Sequence, residues 1–288
     1  MKTNVEKLVM QSIQGKVRHP IMRLPGYRVC SDGKARIVPA TGAITYNYKI
    51  GDPCMNIVGD HVEPGVTTKN SDELEDGAYL VFACVGNTAK VVSGDAKGDL
   101  GFVTGKHGGS DHVMCYFPTA TLDKLTLDDK ILVKAFGVGL ELTDYPDITC
   151  LNLDPGLLDK MNIIEKDGYI EVGVTHIFPA KIMGSGLGQS SMHSGDYDIM
   201  TRDEKAYQEY GLANLRFGDI VFISDHHNAF GPDYHEAAGT VGVIIHGDSF
   251  ISGHGPGMTV LMTARRQIIR PFIDSSANLA KYYSVADE

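Results

Sequence analysis

The sequence contains no run of lysine and arginine residues. Lysine and arginine total 26 against 36 aspartate and glutamate residues, which gives a formal net charge of -10 at pH 7. Because phosphate backbones and anionic lipids are themselves negative, such a chain is not attracted to them without specific contacts. The composition therefore argues against nucleic acid and against a charged membrane surface as partners.

Long apolar segments are also missing. No stretch approaches the roughly 18 to 20 apolar residues that a membrane-spanning helix needs, so we do not expect an integral membrane protein. The segment 1–15 lacks the continuous apolar stretch of a signal peptide. It places Val5, Leu8, Val9 and Ile13 at helical spacing among polar residues, and this pattern predicts a first helix.

Cysteine is sparse. The five cysteines are odd in number and lie far apart, and no two of them are close enough to suggest a zinc or redox motif. This usage predicts a reduced, cytoplasmic protein.

Motifs of covalent and nucleotide chemistry are absent too. The chain has no GxSxG nucleophile elbow, and its glycine-rich segment GSGLGQS at residues 184–190 lacks both the GxGxxG spacing and a GK[ST] element. We interpret this segment as a mobile substrate loop, with Asp196 and Asp198 after it as polar contacts.

The sequence does contain many short β-rich runs between turns. With 43% hydrophobic and 22% charged residues the chain folds as a globule. Runs such as YLVFAC at 79–84, HVMCYF at 112–117 and TVGVIIHG at 240–247 are bounded by glycine, aspartate or asparagine, which is typical of strands. We predict a mainly β fold of small barrel or sandwich lobes with a few short helices.

A change of pattern near Cys150 predicts a boundary between two lobes, 1–150 and 151–288. The first lobe includes a segment from Val91 to Lys106 that looks like the hairpin of an SH3-like barrel. After the boundary, Asp154 followed by Pro155 is typical of a helix start with an N-cap and a proline at the first helical position.

The densest group of potential metal ligands lies in the second lobe. The stretch SDHHNAFGPDYHEAAG contains six of them: Asp225, His226, His227, Asp233, His235 and Glu236. A turn after the strand DIVFIS can gather imidazoles and carboxylates, a mixture that zinc, manganese or iron accepts. The alternative is a solvated turn whose polar side chains cap neighbouring backbone.

Two further groups lie in the first lobe. GKHGGSDH places Lys106, His107, Asp111 and His112 beside glycines 108 and 109, which permit close backbone approach to a ligand. In GDHVEPG, His61 and Glu63 share one face if the segment is extended, so they could bind metal or act as a base and its orienting partner. A solvated turn is the alternative for both groups.

Two more histidines lie near the end of the chain, in VIIHGDSFISGHGPG. His254 precedes a Gly-Pro-Gly turn that restricts the backbone, and it is a candidate binding residue. His246 follows an apolar strand, which favours a hydrogen-bonded core histidine over a ligand.

These segments carry two resemblances. GDHVEPGV, VSGDAKGDLGFVTGKHGG and HGDSFISGHGPG resemble a bacterial family known only as a domain of unknown function, which implies a mainly β fold and a cytoplasmic setting. HGGSDH at residues 107–112 and GDIVFISDHHNAFG resemble segments of the acetamidase and formamidase family of metal-associated amide hydrolases. Ser110 stands where that family has asparagine, and Asp233 to Glu236 only loosely replace its acidic GDGE element.

From these patterns we predict a metal-dependent hydrolase that cleaves the carbon-nitrogen bond of a small linear or cyclic amide. One or two divalent metals such as zinc, manganese or iron would lower the pKa of bound water and polarise the carbonyl. The predicted metal ligands are His107, Asp111, His112, Asp225 and His227. The predicted catalytic residues are Glu236 as general base and Lys106 or His235 at the oxyanion. The predicted substrate-binding residues are His61, Glu63, Gly108, Gly109 and His254.

Two alternatives stay open at this point. One is a metal-dependent lyase or isomerase acting on a small hydroxy or keto acid. The other is a non-enzymatic small-molecule binding or oligomeric protein whose histidines only form hydrogen bonds. In each case a homo-oligomer is the expected assembly.

Overall fold

The computed structural model describes residues 1–22, 26–39 and 41–285. The first nine strands are β1 (Gln11–Val17), β2 (Arg28–Val29), β3 (Ala35–Arg36), β4 (Ile44–Thr45), β5 (Gly65–Lys69), β6 (Thr88–Val91), β7 (Leu100–His107), β8 (His112–Tyr116) and β9 (Lys130–Ala135). The other nine are β10 (Ile148–Cys150), β11 (Ile163–Lys166), β12 (Tyr169–Val174), β13 (His176–Pro179), β14 (Tyr197–Asp198), β15 (Ile220–His227), β16 (Asp233–Ile244), β17 (Gly257–Ala264) and β18 (Ile269–Ile273).

Helices are few and short. The α-helices are α1 (Glu73–Phe82), α2 (Thr119–Leu122), α3 (Pro155–Leu158), α4 (Glu204–Glu209) and α5 (Leu279–Tyr282), and 3-10 turns cover Val5–Lys7, Ala180–Ile182 and Leu212–Asn214. Within the described residues, no helix is long and apolar enough to cross a bilayer. The prediction of a mainly β fold with a few short helices is confirmed.

The first sheet closes into a barrel. Its strands follow the order β1-β9-β6-β7-β8-β5, and β1 pairs again with β5, so the sheet meets itself; β4 extends β5 at one edge. The hairpin predicted between Val91 and Lys106 is the antiparallel pair of β6 and β7. The end of β7 and the start of β8 lie at one rim of the barrel, and this rim faces the second lobe.

The second lobe contains a larger open sheet and a small one. The larger sheet has the order β10-β17-β16-β15-β13, with β14 added to β17, and the small sheet is β11-β12-β18. Its strand β10, at residues 148–150, lies just before the predicted lobe boundary and pairs with β17.

The two lobes share part of their apolar core. Phe102 and Met114 of the barrel pack in one cluster with Val243 and Leu261 of the large sheet. A polar contact joins the same strands, since the backbone N–H of Lys106 donates to Oγ1 of Thr259 at 3.0 Å. Burial of this shared surface fixes the barrel rim relative to β16 and β17.

Two predicted elements are wrong. The helix expected in segment 1–15 is only the 3-10 turn at Val5–Lys7, because residues 11–17 form β1 and pair with β9 over six residue pairs. The run YLVFAC lies mostly in α1 and not in a strand. Asp72 caps this helix by accepting hydrogen bonds from the N–H groups of Leu74 and Glu75.

The helix start predicted at Asp154 is present. Asp154 accepts from the N–H of Gly156 at 2.6 Å, and Pro155 is the first residue of α3. The capping residues alone were sufficient to predict the start of α3, because an N-cap hydrogen bond needs no distant partner.

Candidate metal centre

Imidazoles and carboxylates from both lobes meet where the barrel rim faces the large sheet. Two sets of three residues each place one ligand atom per residue within 4.8 Å of the others. We name the six residues together the histidine cluster: His61, Asp198, His254, His107, Asp196 and His246.

The barrel contributes His107 through the β7–β8 hairpin. His107 ends β7 and lies opposite His112, which begins β8. The turn between them contains glycines 108 and 109 and brings Asp111 to a left-handed φ of 56°. The tight turn therefore holds two histidines side by side at the rim of the barrel.

One buried carboxylate serves both of these histidines. Oε1 of Glu63 lies 2.6 Å from Nδ1 of His107 and 3.0 Å from Nδ1 of His112. Oε2 of Glu63 accepts hydrogen bonds from the Thr67 hydroxyl and the backbone N–H of Gly42. Burial alone would raise the pKa of Glu63, but the hydrogen bonds from the two histidines hold it well below its usual value. Glu63 is thus an ionised acceptor that fixes both rings.

His61 is held from the other side of the same loop. Its backbone adopts a left-handed φ of 53°, a costly conformation for a non-glycine residue and one that often occurs at functional sites. Nδ1 of His61 lies 3.2 Å from Oδ2 of Asp60, while Oδ1 of Asp60 accepts from Ser249 Oγ at 2.7 Å. Asp60 therefore ties the His61 ring to the second lobe.

The second lobe contributes two aspartates through the short strand β14. Because side chains alternate along a strand, Asp196 and Asp198 point to one face and Tyr197 to the other. Asp196 accepts from the backbone N–H of Gly108 at 2.9 Å, and Tyr197 contacts His226 on the opposite side. Asp198 contacts three histidines of the cluster.

His246 follows β16 and is fully buried. Its Nε2 lies 2.8 Å from Oδ2 of Asp196, and its Nδ1 lies 2.9 Å from the carbonyl oxygen of Gly247. Gly257 packs against the ring so closely that a Cβ there would lie 2.2 Å from Nε2. The glycine therefore makes room for the His246–Asp196 pair.

His254 lies in the loop before β17 and is the most accessible member of the cluster, with 32% of its side chain exposed. Its Nδ1 lies 3.0 Å from Oδ2 of Asp198 and 3.0 Å from Nε2 of His61. Two imidazole nitrogens and a carboxylate oxygen thus lie close together near the surface.

Three imidazoles share one arrangement. Nδ1 of His61 faces a carboxylate, Nδ1 of His107 faces another, and Nδ1 of His246 faces a backbone carbonyl. In proteins, a histidine that binds metal through one nitrogen almost always donates the other N–H to a carboxylate or carbonyl. The rings are therefore oriented as metal ligands are.

The electrostatics of the cluster favour positive charge. Burial opposes the ionisation of Asp198, yet hydrogen bonds from His246, His254 and His61 keep its pKa well below the usual value. Burial would also lower the pKa of His246, but its contacts with Asp196 and Asp198 raise that pKa well above normal. Asp198 stays ionised and attracts a cation or protons.

The residues present fit a divalent cation. Neutral imidazole nitrogens and carboxylate oxygens are the mixture that zinc, manganese and iron accept. Nε2 of His112 is buried and has no hydrogen-bond partner among the described residues, so the site also contains a polar atom that a bound group would satisfy.

The ligand-rich hairpin predicted from SDHHNAFGPDYHEAAG lies elsewhere. Asp225 occupies a β-bulge and accepts from the backbone N–H of Ala237 at 2.8 Å, and His227 lies opposite Asp233 in the β15–β16 ladder. His235 and Glu236 are exposed residues of β16. Asp225, His235 and Glu236 are thus accessible residues of this hairpin and His227 is a buried one. None of the four lies in the histidine cluster, so the geometry gives their predicted roles no support.

Two predicted residues beside His107 also have other partners. Asp111 is exposed and pairs with Lys69 at 3.1 Å. The Lys106 ammonium is buried and donates to the carbonyls of Val81 and His193 and to Oδ1 of Asn152. Neither residue contacts the histidine cluster through these bonds, so the structure favours a structural role for both.

The remaining predicted residues come together. His61, His107 and His254 belong to the cluster, Glu63 and His112 lie directly behind it, and the N–H of Gly108 binds Asp196. Gly109 lies in open space on the turn.

Sequence reasoning missed three members of the cluster. Asp196 and Asp198 were predicted only as substrate contacts, and His246 only as a core histidine. The Asp-Tyr-Asp spacing was the available signal, because alternate residues of a strand share a face. This spacing does not show which histidines lie opposite the two aspartates, so it could not identify them as ligands.

Fold and site define a mainly β protein with a histidine and aspartate cluster between the barrel and the large sheet. Family models described as "Domain of unknown function (DUF4438)", N-terminal and C-terminal, match residues 27–159 and 160–283. The chain belongs to this family, which confirms the predicted relationship to an uncharacterised family.

A crystal structure of TM1086 is similar over the whole chain. The two share 44% sequence identity with a TM-score of 0.94, and the match covers 98% of this chain and 99% of that one. No curated protein sequence matches this chain significantly. The relatives thus support the fold and the family, and the function has to be argued from the site.

Proposed function

We propose that the protein is a metal-dependent hydrolase that cleaves the carbon-nitrogen bond of a small linear or cyclic amide. The observation that carries this proposal is the set of three imidazoles, each anchored at Nδ1, that meet two aspartates between the lobes. A divalent cation held there would lower the pKa of a bound water and polarise a carbonyl oxygen.

The chain's own residues would hold and orient such a centre. His61, His107, His246 and His254 with Asp196 and Asp198 are the candidate ligands, and Asp60 and Glu63 fix two of the rings. His112 lies behind the cluster and shares the anchor of His107, since Oε1 of Glu63 also lies 3.0 Å from Nδ1 of His112.

The choice of reaction rests on the resemblance to amide hydrolases. The segment HGGSDH, which carries part of that resemblance, forms the β7–β8 turn and so provides both His107 and His112. The other resembling segment lies in the β15–β16 hairpin, where Asp225 accepts a hydrogen bond from the backbone N–H of Ala237. The proposed site therefore uses the first segment and not the second.

A small-molecule binding protein is the second candidate. A cavity of about 800 Å³ opens beside the site and is lined mainly by apolar side chains. Its wall includes Asp60, the partner of His61, and Gly42, whose N–H binds Glu63. Cavities of this size suit small ligands. The cavity is therefore consistent with a protein that binds a small molecule without catalysing a reaction.

Metal analysis combined with an amide screen separates the two candidates. Inductively coupled plasma mass spectrometry of the purified protein should find near-stoichiometric zinc, manganese or iron. Ammonia release from formamide and acetamide, and ring opening of cyclic imides to the half-amide, should stop with a chelator and return with the metal. Folded protein with no metal and neither reaction would favour the binding protein.

Two variants locate the centre. Asp196→Ala should lose metal, because Asp196 contacts His246 at 2.8 Å. Asp225→Ala should keep metal, because Asp225 bonds to backbone within its own hairpin. The reverse pattern would return the site to the β15–β16 hairpin.

The proposed setting is a cytoplasmic homo-oligomer. All five cysteines are free, and four of them are buried, which fits a reducing compartment. Light scattering coupled to size-exclusion chromatography would measure the assembly, and a monomeric mass would exclude the oligomer.

A further inference from the structure

We propose that the histidine cluster binds two divalent cations, with Asp198 bridging them. This inference rests on the proposed function only in requiring a cation at the cluster, and it is independent of the reaction. Its starting point is that the cluster divides into two complete sets of three ligands, His61–Asp198–His254 and His107–Asp196–His246.

Asp198 faces both sets with different oxygens. Its Oδ2 lies 3.0 Å from Nδ1 of His254 and 3.5 Å from Nε2 of His61, whereas its Oδ1 lies 3.6 Å from Nε2 of His246. A carboxylate that presents one oxygen to each of two ligand sets is placed to bridge two cations.

The two sets are in direct contact through their rings. The ring centroids of His61 and His246 are 4.9 Å apart, and those of His61 and His107 are 5.6 Å apart with nearly parallel planes. Ligand sets this close serve neighbouring ions, as in two-metal hydrolytic enzymes, and not two separate sites.

The two ligand sets differ in their exposure to solvent. All members of the His107–Asp196–His246 set are buried, whereas His254 in the other set is partly exposed. We therefore expect the buried set to retain its cation and the set with His254 to exchange its cation more readily.

Manganese alone is a suitable probe, because Mn²⁺ reports both how many ions are bound and whether two of them lie close together. The full-length protein, stripped with a chelator and dialysed against Mn²⁺, should contain two equivalents by mass spectrometry. Its electron paramagnetic resonance spectrum should show a spin-coupled pair and not the six-line signal of isolated Mn²⁺.

Three variants refine the test. His254→Ala should retain one equivalent with an uncoupled six-line signal, and its partial exposure makes the substitution tolerable to the fold. Asp198→Asn, which preserves shape, should lose the spin coupling. His235→Ala is the matched control, since His235 lies on the exposed hairpin, and it should behave as the wild type.

The outcomes separate this inference from the proposed function. One equivalent of Mn²⁺ in the wild type, or two without coupling, would overturn the bridged pair and leave a one-metal hydrolase standing. No binding by folded protein would overturn both. A coupled pair without amide hydrolysis would support the two-cation centre and overturn only the proposed reaction.

Discussion

Oε1 of Glu63 lies 2.6 Å from Nδ1 of His107, and both side chains are almost entirely buried. This contact makes the carboxylate an anchor for a ring whose other nitrogen faces the cluster. The same oxygen reaches His112, so one side chain on the barrel determines the orientation of two imidazoles.

Replacing this anchor should weaken metal binding without removing a ligand. In Glu63→Gln, a neutral amide takes the place of a carboxylate that two imidazole N–H groups share. Loss of such an orienting partner typically lowers metal affinity about 10- to 100-fold. Calorimetric titration with Mn²⁺ would measure the change, with Glu6→Gln on the exposed surface as control. Equal affinities in the two variants would show that Glu63 has no orienting role.

Two glycines offer a matched test of space at the site. A Cβ at Gly257 would lie 2.2 Å from His246 Nε2 and 2.5 Å from Asp196 Oδ2, while one at Gly109 would meet nothing within 4 Å. Gly257→Ala should therefore displace the His246–Asp196 pair and reduce metal content, and Gly109→Ala should leave it unchanged. Mass spectrometry of metal in both proteins provides the comparison, and full metal content in Gly257→Ala would contradict the assignment of this pair.

Sequence reasoning predicted the barrel-side residues of the site because they lie in short, locally readable segments. His107 and His112 flank a glycine turn, and His61 and Glu63 are two residues apart. That Asp196, Asp198 and His246 would join them as ligands was not predicted, since it depends on how the barrel packs against the large sheet. The potential ligands of the β15–β16 hairpin lie outside this cluster, because ligand density along the chain does not require that side chains converge.

In the secondary structure too, local features were predicted correctly and features that depend on distant contacts were not. Capping at Asp154 is a local event, and it identified α3 correctly. Segment 1–15 showed a helical spacing of apolar residues. Its residues from 11 onward belong to β1, because pairing with β9 and β5 supplies backbone hydrogen bonds from distant parts of the chain. Pairing across the barrel outweighed local preference there.

Lys106 should matter for stability. Its buried ammonium has three hydrogen-bond acceptors, and burial lowers its pKa to about 8. Lys106→Met would leave the carbonyls of Val81 and His193 and Oδ1 of Asn152 without this donor. We expect a loss of about 2 to 5 kcal/mol in the free energy of unfolding.

Urea denaturation would measure that loss, with Lys90→Met on the exposed side of β6 as the matched control. If Lys106→Met were as stable as the control, these three bonds would contribute little to folding.

His226 should make stability depend on pH. Burial lowers its pKa from 6.5 to about 4, and its surroundings suit the neutral ring, because the Asn228 amide donates to Nδ1 while Nε2 faces the Tyr197 hydroxyl. Between these pKa values the unfolded chain binds the proton and the folded one does not. The stabilisation is therefore present above about pH 6.5 and is lost as the pH falls towards 4.

The size of this effect follows from the pKa shift. A depression from 6.5 to about 4 corresponds to about 3 kcal/mol when complete, of which about 2 kcal/mol should be lost between pH 7.5 and pH 5. Urea unfolding at these two pH values would measure it. In His226→Asn the loss between the two pH values should be smaller than in the wild type by about that amount. His19→Asn, at a side chain that is 58% exposed, is the control. An identical pH dependence in His226→Asn and the wild type would show that the folded protein binds the proton at His226 as readily as the unfolded chain does.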